Sequence, residues 1–322
     1  MKTAGIIAEY NPFHNGHKYH IDKTRLITGA DTIVVIMSGS FVQRGECAVF
    51  NKWQRAKTAV ENGADLVIEL PTLFSTSSAE DFAYGAVSIL NEIGVDYLSF
   101  GSESGNLESI TNIAKILSNE PLEFKEVLRY HQKQGLTFPS AREKALKAVN
   151  ADHTLIKNPN DALGAEYLKA LIRLNSTITP CAVKRFGADH DGISTVTGFL
   201  GATRIREMLS KGHDISSFVP PQNLSDPLFY EDLSKLVFTA IRLADQKNVL
   251  YKTPSDEELL NRIFNTNISQ DLSSYAYNIK TKRYTMSRVK RTLLNILFNS
   301  DINKDKIENY VRVLALNEKG AS

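Results

Sequence analysis

Two histidines lie on either side of a glycine near the N-terminus, in the tetrapeptide His14-Asn15-Gly16-His17. The preceding segment, Ala4–Glu9, is short, apolar and bounded by a turn, which predicts a buried parallel strand. A helix that follows such a strand presents backbone N–H groups and the positive end of its dipole to a phosphate. Gly16 lets a ligand approach the backbone closely, and the two imidazoles add side-chain donors. The spacing therefore predicts a phosphate-binding turn.

Metal coordination is an alternative interpretation, since His14, His17 and His20 recur at steps of three residues. A zinc site needs three or four ligands with supporting hydrogen bonds, and residues spaced at i, i+3 and i+6 drift around a helix. The metalloprotease pattern, two histidines four residues apart with a glutamate between them, is absent. We therefore expect no metal site in the protein. His20 alone fits a packed or surface histidine, and a structural role for the pair stays open.

A second polar cluster lies far along the chain, at the start of a helix predicted over Ala202–Leu209. Thr203 supplies a hydroxyl and Arg206 a guanidinium, and together these groups can hold the β- and γ-phosphates of a nucleotide. A solvated amphipathic helix is the alternative for this short motif. Its combination with the histidine pair favours phosphate binding.

The elements that must position these residues follow from alternating apolar and helical segments. Short segments rich in β-branched residues predict strands at Ala4–Glu9, Asp31–Met37, Asp65–Pro71, Tyr97–Phe100 and Cys181–Phe186, with helices between them such as Lys52–Asn62 and Ser78–Ile93. Strands and helices that alternate about every 30 residues are typical of an α/β doubly wound parallel sheet. Ligands bind beyond the carboxyl ends of such strands. The segments 14–17, 38–45 and 101–103 should therefore converge on one site.

The rest of the chain is predicted to be mainly helical. Residues 106–150 form a helical insertion with breaks near Pro121 and over Gly135–Pro139, and a turn over Lys157–Gly164 precedes a helix from Ala165. After Pro220-Pro221 the pattern favours helices without strands. We therefore predict a domain over residues 1–218 that contains the sheet and the phosphate-binding turn, and a helical domain over 219–322.

Composition excludes several classes of protein. The chain has 322 residues, of which 42% are hydrophobic and 23% charged, as in ordinary globular proteins. No apolar segment approaches the roughly 20 residues of a membrane helix, and the sequence enters a strand at once, so neither a membrane span nor a signal peptide is expected. Two isolated cysteines, Cys47 and Cys181, are too few for a disulfide framework. A cytoplasmic protein with free thiols is the expectation.

A basic segment stands out in the C-terminal region, although the net charge of the whole chain is only +2. The residues between Lys280 and Arg291 include six cations and no acids. A solvated cationic helix face is one interpretation, and contact with RNA phosphates is the other. Tyr284 could stack on a base. The residues predicted to contact RNA are Lys280, Lys282, Arg283, Tyr284, Arg288, Lys290 and Arg291.

Several motifs resemble a known family. His14–His17 looks like the H-x-G-H signature of the nucleotidyltransferase superfamily, and Gly201–Arg206 looks like its second phosphate motif, with Gly201 where serine is usual. The longer motifs 9–17, 37–46, 65–71 and 100–103 are similar to those of bacterial tRNA(Met) cytidine acetate ligases. The similarity continues through Pro159-Asn160, Leu163-Gly164 and Arg185 to 280–285, and therefore spans nearly the whole chain. Ser40 departs from the bulkier polar residue that the family has in its loop.

The resemblance implies a nucleotidyltransferase-like Rossmann-type core, with residues 1–218 as the catalytic ATP-binding domain and the basic segment from Lys280 to Arg291 as the tRNA-binding surface. The activity that it implies is that of an ATP-dependent ligase. It would activate free acetate as acetyl-adenylate, without acetyl-CoA, and acetylate N4 of the wobble cytidine, position 34, of elongator tRNA(Met). His14 and His17 would be catalytic, Thr203 and Arg206 would hold the pyrophosphate end, and Mg²⁺ would bridge the phosphates. The implied ATP-binding residues are Ile7, Ala8, Glu9, Tyr10, Asn11, Pro12, Phe13, His14, Asn15, Gly16, His17, Lys18, Tyr19, His20, Gly101, Asn160 and Arg185.

Two other functions stay open on the residues alone. One is a nucleotidyltransferase that acts on a small phosphorylated metabolite, and the other is a non-catalytic RNA-binding protein with a nucleotide pocket. The general base for the cytidine amine is also unassigned. Glu9 and Glu46 are candidates, with structural roles as the alternative.

Overall fold

A computed structural model describes residues 1–186, 198–222, 225–252, 257–268, 271–299 and 310–321. Its strands are β1 (Thr3–Ala8), β2 (Thr32–Ser38), β3 (Phe41–Val42), β4 (Glu46–Cys47), β5 (Leu66–Leu70), β6 (Tyr97–Ser102), β7 (Thr179–Lys184) and β8 (Arg312–Leu316). Six of them form one sheet in the order β7-β6-β1-β2-β5-β8, and β3 and β4 form a separate hairpin. The first five strands of this sheet are parallel, which confirms the predicted doubly wound architecture.

Helices cover both faces of the sheet and form the C-terminal region. They are α1 (Asn15–Thr28), α2 (Lys52–Glu61), α3 (Thr72–Ser75), α4 (Ala79–Ile93), α5 (Leu107–Asn119), α6 (Leu122–Lys133), α7 (Phe138–Ala148), α8 (Pro159–Arg173), α9 (Ala202–Ser210), α10 (Ser234–Leu243), α11 (Gln246–Lys252), α12 (Glu257–Asn265), α13 (Leu272–Ile279) and α14 (Met286–Phe298). Among the described residues, no helix is long and apolar enough to cross a membrane.

The strand sequences explain the two helical layers. Successive side chains of a strand point to opposite faces, so Val35 and Met37 pack with α1 and α2, whereas Val34 and Ile36 pack with α4 and α8. Both faces are buried, which is why the strands are continuously apolar rather than alternating. Helices α5–α7 lie within the predicted insertion, and they share the core on the α4 side.

A second core lies in the C-terminal region. Its buried residues come from α10 to α14 and include Val237, Leu259, Tyr275 and Leu293, and Cys47 of the β3–β4 hairpin packs against them. The hairpin therefore connects the sheet to the helical region. Cys47 and Cys181 are free thiols, as expected.

Two predictions about chain organisation are wrong. The C-terminal region does contain a strand, because β8 returns to the sheet and pairs antiparallel with β5. The helix expected from Ala165 already begins at Pro159, since the first turn tolerates a residue without an N–H group. The boundary proposed near residue 218 stays a prediction.

Candidate active site

A cavity of about 1060 Å³ opens at the point where the strand order reverses. The chain passes from β1 to β2 on one side and later to β6 on the other side, so the loops after β1 and β6 diverge and leave a crevice between them. The predicted site residues that line this cavity are Ile7, Ala8, Glu9, Tyr10, Asn11, His14, Gly16, His17, Tyr19, His20, Gly101, Asn160, Arg185, Thr203 and Arg206. Residues from five separate parts of the chain therefore meet in one cavity.

Four residues of the predicted ATP-binding stretch do not line the cavity: Pro12, Phe13, Asn15 and Lys18. Phe13 is fully buried in the core beneath α1. The side-chain amide of Asn15 donates to the carbonyls of Gly198 and Ser217, and Lys18 forms an ion pair with Asp22. These residues support the loop rather than face the cavity.

His14 and His17 form a reciprocal cap at the start of α1. The Nδ1 atom of His14 accepts the backbone N–H of Gly16 at 3.0 Å, and Nδ1 of His17 accepts the backbone N–H of His14 at 3.2 Å. Each ring therefore carries its proton on Nε2. The rings stack with their centroids 3.7 Å apart.

Burial keeps both imidazoles uncharged. Desolvation, with Arg185 and Arg206 nearby, lowers the pKa of His14 to about 3. The pKa of His17 is also lowered well below its usual value, chiefly by burial. The pair is thus two neutral Nε2–H donors at a helix N-terminus, which is suited to stabilising negative charge on a phosphoryl group.

His20 belongs to a hydrogen-bond chain with a defined direction. The hydroxyl of Thr24 donates to the His20 carbonyl, so it must accept from Ser99, and the Ser99 hydroxyl must then accept from Nε2–H of His20. Burial lowers the pKa of His20 to about 4. His20 is therefore a packed neutral histidine, as one interpretation expected, and it also lines the cavity.

The second phosphate motif lies against the first. One guanidinium nitrogen of Arg206 donates to the carbonyl of Asn11 at 2.8 Å, and the other is 3.3 Å from the hydroxyl of Thr203. The side-chain oxygen of Asn11 in turn accepts the backbone N–H of Val49. This network fixes the start of α9 beside the loop after β1, and a cation and the histidine donors therefore face the same cavity.

Gly101, Asn160 and Arg185 lie on the opposite side, at the ends of β6 and β7 and the start of α8. The Glu103 carboxylate accepts from the backbone N–H groups of Asn160 and Asp161 and from the side-chain amide of Asn160. The carbonyl oxygen of that side chain is then left to accept a hydrogen bond from a ligand. The backbone N–H of Arg185 donates to Ser102, which holds Arg185 at the sheet edge.

Sequence reasoning missed Arg55, which lies on α2 and is only 2% exposed. Its guanidinium donates to the carbonyls of Glu9, Ser38, Gly39 and Phe50. It therefore ties together the loops that follow β1 and β2. An arginine on the buried face of α2 could have indicated a structural role, but the carbonyl groups that it contacts are known only from the tertiary structure.

The β3–β4 hairpin contacts the predicted tRNA-binding segment. Lys290 forms an ion pair with Glu46, and the guanidinium of Arg291 donates to the carbonyl of Gln43. Gly45 approaches so closely that a Cβ atom there would lie 2.5 Å from the backbone nitrogen of Arg291. The hairpin also contributes Gln43, Arg44 and Glu46 to the cavity wall, so α14 abuts a wall of the candidate active site.

These contacts change the predicted RNA surface. The prediction that Tyr284 stacks on a base is wrong, because this side chain is only 1% exposed and packs in the helical core. Lys290 and Arg291 bind the hairpin, and Arg283 pairs with Glu258 at the surface. Lys280, Lys282 and Arg288 are exposed.

Comparisons with known proteins agree with this architecture. A family described as HIGH Nucleotidyl Transferase matches residues 1–322. The tRNA(Met) cytidine acetate ligase of Caldicellulosiruptor saccharolyticus is 41% identical over 337 residues, covering 99% of this chain and 83% of that protein. The ligase of the same name from Clostridium novyi is also 41% identical and covers 99% of this chain and 86% of its own.

Two solved structures of Thermotoga maritima TmcAL share the fold at 31% sequence identity. The form bound with alpha-thio ATP has a TM-score of 0.88, and the apo form has a TM-score of 0.90. Each match covers 100% of this chain and 82% of the other. The similarity therefore extends over both the sheet and the C-terminal helices.

Proposed function

The chain belongs to the HIGH nucleotidyl transferases and, among them, to the tRNA(Met) cytidine acetate ligase family, and from this premise we propose that it joins acetate to tRNA using ATP. An acetate oxygen attacks the α-phosphorus, pyrophosphate leaves and acetyl-adenylate forms. The N4 amine of the wobble cytidine of elongator tRNA(Met) then attacks the acetyl carbon, and AMP leaves. The observation that carries the proposal is the pair of neutral histidine donors facing Arg206 in one cavity.

The first step requires stabilisation of negative charge. Charge develops on the α-phosphoryl oxygens and on the departing pyrophosphate, and preorganised donors directed at such charge are usually the largest catalytic contribution. We assign this role to Nε2–H of His14 and of His17, with the N-terminus of α1 behind them. Arg206, with Thr203, would hold the pyrophosphate end.

The adenosine would lie towards β6 and β7. Gly101 leaves room beside the strand end, the open carbonyl oxygen of Asn160 can accept from the adenine amine, and Arg185 supplies a cation at the edge. Mg²⁺ would enter with ATP and neutralise phosphate charge. Protein ligands for it are not evident, since no cluster of three His, Cys, Asp or Glu side chains occurs among residues 1–186 and the later described segments.

The tRNA would dock on the helical region. Lys280, Lys282 and Arg288 are exposed cations near α14, and cations at this density suit a phosphate backbone. Because α14 contacts the β3–β4 hairpin, RNA bound there lies next to a wall of the cavity. The acceptor cytidine would reach the acetyl-adenylate from this side.

Exchange of labelled pyrophosphate into ATP tests the proposal. We expect exchange that depends on acetate, and acetylated tRNA(Met) when tRNA is added, with no acceleration by acetyl-CoA. Exchange that instead requires a phosphorylated metabolite would identify a nucleotidyltransferase. Absence of exchange with every acceptor would indicate a binding protein and would contradict the proposal.

A further inference from the structure

The transfer step releases a proton that the established parts of the site do not accept. The neutral amine of cytidine attacks the acetyl carbon, a C–N bond forms, and the C–O bond to the phosphate breaks, with AMP taking the electron pair. One amine proton must then leave the nitrogen. His14 and His17 already hold protons on Nε2 and use Nδ1 for backbone contacts, so neither has a free acceptor atom.

Among the residues that the structure describes, four carboxylates line the cavity, and three of them are occupied. Glu46 is paired with Lys290, and Glu207 is paired with Arg204 at 2.6 Å. Glu103 accepts three hydrogen bonds at the N-terminus of α8. Each of these groups would have to give up a structural contact before it could accept a proton.

Glu9 is the fourth carboxylate, and one of its oxygens is open. Oε1 accepts the backbone N–H of Gln43 at 2.9 Å, whereas Oε2 accepts no hydrogen bond from any residue that the structure describes. The Glu9 backbone is held by Arg55, which donates to its carbonyl at 2.6 Å. The side chain thus has a fixed position on the loop next to His14, with one oxygen available to a ligand.

Burial leaves the Glu9 carboxylate able to bind a proton despite its charged neighbours. Burial raises the pKa of Glu9 above its usual value. It outweighs the hydrogen bond from the Gln43 N–H and the charges of Arg206 on α9, Arg44 in the hairpin and Arg55 on α2, all of which lower the pKa. The Tyr167 hydroxyl on α8 also lies near this carboxylate. A general base is most effective when its pKa is raised towards the working pH in this way.

We propose that Glu9 Oε2 accepts the proton that the cytidine amine loses as acetyl transfer occurs. This role rests on the proposed ligase function and assigns its second step. It also separates the two candidates that the sequence left open, since Glu46 is occupied by Lys290. Arg55 and the Gln43 amide are positioning groups for this base.

The test is a single-turnover transfer from preformed acetyl-adenylate to tRNA(Met), alongside acetate-dependent pyrophosphate exchange. Removing a general base typically costs about 10²- to 10⁴-fold. We expect Glu9→Gln to slow transfer at least about 100-fold, and to slow it at least tenfold more than it slows exchange. In the wild type, transfer should rise with pH above 4.5 as Glu9 ionises, and Glu9→Gln should lack this rise.

Glu207→Gln is the matched control, because it makes the same change at a cavity carboxylate that is already paired. Equal losses of transfer and exchange in Glu9→Gln, or an unchanged pH profile, would overturn the assignment. If Glu9→Gln does not fold, Glu9→Asp decides: the shorter base should slow transfer and keep the pH-dependent rise. A Glu9→Asp enzyme with wild-type transfer would contradict the proposal. Failure of wild-type exchange would instead refute the ligase function.

Discussion

Replacing His14 by asparagine separates its structural contact from its chemistry. Asparagine is a good N-cap residue and places an acceptor oxygen near the position of Nδ1, so the bond from the Gly16 N–H should be retained. The Nε2–H donor and the titrating ring are both removed. The variant therefore probes two properties that follow from the burial of one side chain.

The stability effect can be calculated from the lowered pKa of His14. Its pKa is about 3 in the folded protein and 6.5 when unperturbed, so between these values the unfolded chain binds more protons than the native chain. The stability that the neutral His14 contributes is fully present above pH 6.5 and is lost as the pH falls towards 3. At pH 5 the loss from this group is about 2 kcal/mol.

Other groups also titrate, so the comparison must be between variants. The raised pKa of Glu9 changes stability in the opposite direction, because protonation of this group in acid favours the folded state. The pKa of Asp65 is lowered from its usual value of 3.8, so this group changes the stability only below that pH, outside the range from pH 7.5 to 5. Both contributions cancel when wild type and His14→Asn are compared over the same range.

Urea unfolding at pH 7.5 and 5.0 measures the effect. On acidification we expect the unfolding free energy of the wild type to fall by about 2 kcal/mol more than that of His14→Asn. In thermal unfolding, the same difference corresponds to a shift in Tm of roughly 3 °C at an unfolding entropy of about 2 cal/mol/K per residue. His213→Asn, at an exposed position, corrects for the change in histidine count. At pH 7.5, His14→Asn should also lose about 10²- to 10³-fold in pyrophosphate exchange. An equal loss of stability on acidification in both proteins would refute the neutral-donor reasoning, as would full exchange activity.

Three further changes test the supporting contacts. Arg55→Lys leaves at least one of four buried carbonyls without a donor, so the free energy of unfolding should fall by about 1–3 kcal/mol in urea titrations, with slower exchange. Gly45→Ala places a Cβ against α14 at positive φ and should cost about 1–3 kcal/mol by the same measurement, with slower transfer. Charge reversal at Lys280, Lys282 and Arg288 should weaken tRNA binding and reduce its salt dependence by about 2–3 in log–log slope, while exchange persists. Reversing three exposed lysines of α6 and α7 should leave binding unchanged, and an equal effect there would contradict docking on α14.

Local sequence determined the scaffold and the part of the site at the N-terminus of α1. The parallel strands, their helices and the turn at His14–His17 follow from apolar periodicity and from groups that lie within a few residues of each other. The histidine cap is of this kind, since its two hydrogen bonds join residues no more than three apart. Such contacts form wherever the local backbone allows them, which is why the pattern could be interpreted without a structure.

Tertiary structure decided which charged groups are available. A basic segment has the same sequence whether solvent or a hairpin covers it, and only packing shows that Lys290 and Arg291 bind the β3–β4 loop and that Tyr284 is buried. The edge strand β8 was missed because its pairing with β5 joins residues more than 240 positions apart. The choice of Glu9 over Glu46 depends on the same long-range contacts, because a carboxylate can accept a proton only where no neighbouring donor already occupies it.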